Sequence, residues 1–424
     1  MHAARSFTLT GVAFASALTL GWASPLAALV QLTATTALIM GGTQHPLVDP
    51  SDRLPDFGGN PNYGFAENGL ADIGGLPAGY VGNAMSTYLI PAGPAGAGYD
   101  VLATWTPEEF WPTFGAQTFN ASVQTGLGNL DGCLTGQACV AHYYSGGPGG
   151  AVDGFSVFAY SQSARIASLE KAKLISDYDP AAVNTPDPAA FVMIGNPNRP
   201  NGGVLQRFRG LYIPILDVSF DGSTPTDSPV VDGKYLYPTA DIARQYDGWA
   251  DFPTYPINLL SDLNAALGIL YLHPDYFVGN SSNPVAGQPY LDQGQYGDTN
   301  YYMIASKRLP LLLPLAAIGI PDPLLAALDA PLRVMVEWGY NRGISPGAPT
   351  TARLFDIPNV IKDITNLVVA TFTGLDDMIS EFAHDPALRP FGSKPVESTF
   401  GVGGIVLPEV AHAVPPIGPA FEPQ

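Results

Sequence analysis

The stretch SVFAYSQSARIASLEK, residues 156–171, decides how the rest of the chain is read. With Phe155 in front, FSVFAY is a short, continuous apolar run. Such a run suits a strand buried on both faces. From Gln162 the pattern changes at once. In QSARIASLEKAKLI, Ile166, Leu169 and Ile175 fall at helical spacing, with Arg165, Glu170 and Lys171 among them. That predicts a helix with one buried face. A lone hydroxyl, Ser161, stands where the strand gives way to the helix. Serine is a favoured helix N-cap, so capping alone would account for it.

The second reading is chemical. A tight strand-to-helix turn lifts a serine hydroxyl above the sheet edge and sets the helix N-terminus beneath any oxyanion that forms. The usual pattern is G-x-S-x-G, because small residues must flank the turn. Here it is Ala159-Tyr160-Ser161-Gln162-Ser163, with both glycines replaced by the next smallest side chains.

Working outward, TATTALIMGG (34–42), YDVLATWTP (99–107) and AAFVMIGNP (189–197) read as further strands. ADIARQYDGWADFP (240–253) reads as a strand and then a polar turn, and INLLSDLNAALGILYLHPDY (257–276) as a helix up to a proline stop. Apolar strands alternating with helices predict an α/β fold with a mostly parallel central sheet flanked by helices. Residues 203–239 carry turn signals between short strand-like runs and are expected to form a β-hairpin insertion. From about 277 to 390 the chain is apolar and proline-interrupted, which predicts a C-terminal apolar helical cap or added core packing. Residues 391–424 read as a Pro/Gly-rich flexible tail.

Bulk composition excludes several classes. The 424 residues hold 46% hydrophobic and only 13% charged residues, enough for a sizeable core. Gly (47) and Pro (41) point to many turns and long loops. With 18 Lys and Arg against 37 Asp and Glu, the net charge is −19, which repels phosphate backbones and excludes nucleic acid as a partner. Residues 1–28 have an early Arg5, an apolar run from Phe7 and small residues near Ala23, Ser24 and Ala27. That layout predicts an export segment, either cleaved as a signal peptide or retained as a membrane anchor. Residues 30–390 then form the main domain. Cys133 and Cys139, six apart, are expected to close a small disulfide loop if the chain is exported; unlinked thiols are the alternative. No His or Cys cluster has metal-ligand spacing, so neither a metal nor a cofactor is expected.

A nucleophilic serine needs a base and an acid, in the order Ser, Asp or Glu, His for this fold. Three histidines follow Ser161. His412 lies in the tail and His384 near it, whereas His273 ends a predicted helix just before Pro274. For the acid, QYDGWADFP offers Asp247 and Asp251. Gly248-Trp249-Ala250-Asp251 has the Gly-x-x-Asp form, so Asp251 is favoured and Asp247 is the substitute. The oxyanion donors are expected from the backbone N–H of Gln162 and from the GGTQHP loop, at Thr43 or Gln44.

Taken together, GGTQHP, AYSQSA, IGNPNRPNGG, YDGWADFP, NAALGILYLHPDY and LRVMVEWGYNRG resemble, in order, the PE-PPE domain of mycobacterial proteins, a cutinase-like serine hydrolase of the α/β-hydrolase fold. The resemblance runs from about residue 35 to 345. It implies an exported serine esterase or acyltransferase of the cell envelope. Such an enzyme moves fatty acyl groups from lipid esters, acylated trehalose among them, to a sugar hydroxyl or to water. The apolar stretch 309–333 would suit long acyl chains. Membrane or envelope association would run through the N-terminus or the apolar cap. The alternative is a non-catalytic lipid-binding protein on a hydrolase scaffold.

Overall fold

The structure is a computed structural model. It describes residues 36–47, 80–92, 99–143, 154–181, 188–274, 276–277, 279–280, 283–285, 290–355, 360–394, 401–402 and 405–406. The expected export segment (1–28) and most of the expected tail lie outside the described residues.

Eight strands build the central sheet: β1 (Thr36–Ile39), β2 (Asp100–Thr104), β3 (Ala141–Tyr143), β4 (Phe155–Tyr160), β5 (Ala189–Ile194), β6 (Thr239–Arg244), β7 (Tyr290–Tyr296) and β8 (Thr299–Ile304). Their spatial order is β7-β8-β6-β5-β4-β1-β2-β3. All neighbours are parallel except the two edge pairs, β7 with β8 and β3 with β2. This is the mostly parallel α/β sheet read from the sequence. The continuous apolar runs are explained by burial on both faces: every residue of β1, β4, β5, β6 and β8 is buried.

Helix α1 (Phe119–Leu134) and helix α2 (Gln162–Asp177) cover one face. Val123, Leu130, Ile166 and Leu174 pack there on Leu38, Val157 and Phe191. The short helical segment 80–92 covers the other face, with Tyr88 and Leu89 against Ile39, Phe158 and Val192. Two small antiparallel ribbons, Tyr212–Ile213 with Val218–Ser219 and Val230–Val231 with Lys234–Tyr235, occupy the expected hairpin insertion. Cys133 and Cys139 are bonded, with an S–S distance of 2.06 Å.

Helix α3 (Leu259–Tyr271) packs beside the C-terminal helical region, which α4 (Asp322–Glu337) and α5 (Val360–Ala383) form. That region starts later than the sequence reading placed it. Residues 290–304 are not cap but a β-hairpin that adds β7 and β8 to the sheet, with Gly297 (φ +58°) in its turn. Asp298 at that turn reaches under the sheet to Lys171 Nζ of α2 at 2.6 Å, and both side chains are fully buried.

The strand order reverses at β1, whose neighbours are β2 on one side and β4 on the other. In open parallel sheets the crevice beyond the carboxyl ends of strands at such a reversal is where ligands bind. The segments after β1, β4 and β6 emerge at that end, carrying the GGTQHP loop, Ser161 and the two candidate aspartates.

Candidate active site

Ser161 follows the last residue of β4 and precedes the first turn of α2 with φ +58° and ψ −112°. A serine side chain pays strain in this region, and such strain is characteristic of a nucleophile turn. An ordinary N-cap has extended backbone and a side chain accepting from the helix. Ser161 has neither. Its N–H instead donates to Ile194 O of β5 at 3.0 Å, which pins the turn to the neighbouring strand.

The substitutions in the motif have a structural account. Ala159 is fully buried, so only a small side chain fits. The Ser163 hydroxyl accepts from Tyr160 N at 2.8 Å and also donates to Gly41 O. It thereby ties the turn to the loop after β1, a bond that glycine at this position lacks.

Ser161 Oγ lies 2.7 Å from His273 Nε2, and His273 Nδ1 lies 2.7 Å from Asp247 Oδ2. His273 is brought over the strand ends by α3, which stops two residues before it. Close approach to the ring is possible because residue 195 is glycine. A Cβ there would stand 3.0 Å from His273 Cε1, and φ is +59°. The Tyr160 hydroxyl, donating to His273 O, holds the backbone of the histidine in place.

The sequence reading of the acid is corrected. Asp247, not Asp251, faces the imidazole. The two are one turn apart, with Asp251 N donating to Asp247 O at 2.6 Å. Asp251 points the other way, into Arg342 (Nη1–Oδ1 2.6 Å, Nη2–Oδ2 3.0 Å), and accepts from Tyr246 N at 2.8 Å. The guanidinium, supplied from a distant part of the chain, claims that carboxylate, and no local Gly-x-x-Asp pattern carries this information. Asp247 is fully buried, and its carboxylate also accepts from Tyr276 Oη (2.5 Å, Oδ2) and Trp249 N (2.9 Å, Oδ1). Burial, and then the Asp247 charge, push the Tyr276 phenol well above its ordinary range, so it stays a donor. Tyr276 had no role in the sequence reading. Its spacing of three from His273 was the available signal.

Gln162 is buried, its Oε1 accepting from Ser122 Oγ (2.8 Å) and its Nε2 donating to Glu109 O (2.9 Å) and Thr43 Oγ1 (3.3 Å). As the first residue of α2, its backbone N–H points out of the helix end, beside Ser161. Thr43 therefore sits next to the residue after the serine, as read from the sequence. Gln44, the other candidate, uses its N–H on Glu108 O at 3.0 Å. Gly42 brings this loop close, since a Cβ there would be 3.0 Å from Tyr160 O and 3.4 Å from Ser161 Cβ.

The arrangement is a hydroxyl, an imidazole and a buried carboxylate in one hydrogen-bonded line, next to a helix N-terminus. Chemically it can pass a proton from the hydroxyl to the ring while the carboxylate stabilises the ring's cation. A family model described as the PE-PPE domain matches residues 97–341, more than half of the sequence. The chain belongs to the PE-PPE domain family. Among curated relatives, PE family protein PE3 of Mycobacterium tuberculosis is 33% identical over 401 residues, covering 90% of this chain and 74% of that protein. Esterase PE16 of the same organism is 35% identical over 295 residues, 68% of this chain and 52% of its own length. Diacyltrehalose acyltransferase Chp2, also of Mycobacterium tuberculosis, is 28% identical over 258 residues, 59% of this chain and 64% of its own length. The chain thus spans about half to three quarters of these relatives. No solved structure matches it significantly. By their names, two of the three relatives carry out ester chemistry.

Proposed function

We propose that this PE-PPE chain is an exported serine esterase or acyltransferase acting on lipid esters, with Ser161 as nucleophile, His273 as base and Asp247 as the acid that orients it. One observation carries the reading: the unbroken line from Ser161 Oγ through His273 to Asp247, at 2.7 Å and 2.7 Å, on a strained strand-to-helix turn. The names of the esterase and acyltransferase relatives support the reaction class.

In the first half-reaction Ser161 Oγ attacks the ester carbonyl carbon as its proton passes to His273 Nε2. Asp247 holds the tautomer with the proton on Nδ1 and stabilises the cation that forms. The tetrahedral oxyanion takes the backbone N–H of Gln162 and a donor from the loop at Thr43. Its collapse breaks the bond to the leaving alkoxide, which receives the proton from His273, and leaves an acyl-enzyme. In the second half a hydroxyl gives its proton to His273 and attacks that acyl group, and collapse breaks the bond to Ser161 Oγ, which takes the proton back from His273. Water yields hydrolysis, and a sugar hydroxyl such as that of trehalose yields transfer.

A fluorophosphonate probe tests the nucleophile. The wild type is expected to label and Ser161→Ala not to label while keeping its circular dichroism spectrum. An unlabelled wild type would leave a non-catalytic lipid binder as the better reading. Incubation with an acyl-trehalose donor, with and without free sugar acceptor, followed by mass spectrometry, then shows whether acyl groups reach sugar or water.

A further inference from the structure

Helix α4 is held on two flanks. Leu325, Leu332 and Val336 pack toward α3 with Leu260 and Leu272, while Ala330 and Val334 pack on Leu367 and Ala370 of α5. Between these flanks runs a stripe at helical spacing, Leu324, Leu328, Pro331, Met335 and Trp338, which is exposed or half-buried along its length. Both neighbouring helices do the same. The outward stripe of α3 is Leu259, Leu263, Ala266 and Leu270, with the two end leucines 76% and 67% exposed. That of α5 is Ile361, Ile364, Val368, Phe372, Leu375, Ile379 and Phe382, with Ile361 81% exposed. No charged residue falls on any of the three stripes. Asp262, the sole charged residue of α3, is half-buried.

We propose that this three-helix face is a docking surface for an uncharged lipid layer. The docking itself needs only the face; that the layer delivers substrate rests on the lipid-ester reading above. Three features select this occupant. The stripes are mainly aliphatic and uncharged, whereas the hot spots of protein interfaces are enriched in Trp, Tyr and Arg, with Leu and Val under-represented. Tyr271 and Trp338, both partly exposed, stand at the ends of α3 and α4, the kind of side chain that settles at a lipid–water boundary. The net charge of −19 opposes adsorption to anionic layers, so attraction has to come from apolar burial. The face also adjoins, along the chain, the turn that carries the site histidine, since Leu270 and Tyr271 lie within three residues of His273. Among the described residues no helix is long and apolar enough to cross a membrane, so the face would lie on the layer.

The test is flotation of the full chain with phosphatidylcholine vesicles and with phosphatidylglycerol vesicles at low salt. Two variants, Leu259→Gln/Leu263→Gln and Ile361→Gln/Ile364→Gln/Val368→Gln, alter exposed positions only. The wild type is expected to float with phosphatidylcholine and less well with phosphatidylglycerol. Each variant is expected to lose at least tenfold in the bound fraction while hydrolysing a soluble short-chain nitrophenyl ester as the wild type does. Binding undiminished in both variants, as an anchor within residues 1–28 would give, overturns the proposal. So does a wild-type dimer in light scattering that the variants convert to monomer. Flotation without hydrolysis of the soluble ester would sink the enzymatic reading and leave the docking surface standing.

Discussion

Replacing Glu108 by glutamine should make the protein more resistant to alkaline conditions. Glu108 is fully buried. Its Oε1 accepts from Thr106 Oγ1 at 2.6 Å, and its Oε2 has no partner among the described residues. Its backbone stands at φ +54° and its carbonyl accepts from Gln44, so it braces the loop that carries Thr43. Burial pushes its carboxyl from 4.5 up to about 8, only partly offset by the Thr106 bond. A carboxyl with a raised folded-state pKa holds its proton when the unfolded chain has lost it. Stability is therefore full below about pH 4.5 and falls as pH rises toward 8. The slope is about 1.4 kcal/mol per pH unit, and over roughly three and a half units the loss approaches 5 kcal/mol as a ceiling. Glutamine keeps the shape and cannot ionise. Urea unfolding at pH 4, 6 and 8.5 should give curves that nearly coincide at pH 4. At pH 8.5 the Glu108→Gln protein should be more stable by about 3–5 kcal/mol. A stability difference that stays constant across this range would refute the claim that Glu108 is protonated in the folded state.

The two aspartates of the loop after β6 should separate by phenotype. Asp247→Asn should lower kcat for a soluble ester by about three to four orders of magnitude with little change in KM or melting temperature, since it misdirects the imidazole tautomer. Asp251→Asn should keep fluorophosphonate labelling but lose about 3 kcal/mol in urea unfolding, the low end for a broken buried pair because Arg342 retains Glu337 (Nε–Oε2 3.0 Å). The Lys171–Asp298 pair under the sheet should behave likewise. Lys171→Met should cost about 3 kcal/mol, Asp298 keeping Ser228 N and Thr299 Oγ1 as donors, and Lys171→Met/Asp298→Asn should recover most of it in the same assay.

What could be read from the sequence was whatever local pattern determines. The strands β4 and β5 and the helices α2 and α3 were legible because burial on both faces or on one face leaves a run or a 3.6-residue period. Ser161 and His273 were legible because each sits at the end of such an element. The hairpin of β7 and β8 was not. Its Gln, Asp and Asn residues lower the apolar contrast, and its place rests on long-range pairing, the ladder of β8 with β6 and the Lys171–Asp298 bond across 127 residues. Helix α1 was missed for a related reason, since FNASVQTGLGNLDGCL carries three glycines that weaken the helical signal. Choosing between Asp247 and Asp251 required knowing which carboxylate meets a cation from residue 342, and that is a tertiary fact.

The same pair shows why the helices beyond the sheet belong to the site. Asp251 accepts from Tyr246 N, and Tyr246 stands at φ +68°, a backbone turn that a tyrosine does not hold without support. That turn sends Asp247 toward His273. Arg342 grips both oxygens of Asp251 and, through its other donors, both oxygens of Glu337 at the end of α4. Tyr340 Oη donates to Asp251 O at 3.2 Å, and Tyr255 N donates to Gly339 O at 2.9 Å. The acid loop is thus fastened to the helical layer by charge-assisted bonds, which are stronger than the neutral ones that hold most loops. A layer that merely covered the sheet could be trimmed with little effect on the line from Asp247 to Ser161. A layer that supplies Arg342 cannot, because without it the Asp251 carboxylate keeps only a backbone N–H as its hydrogen-bond donor and the turn at Tyr246 loses its strongest brace.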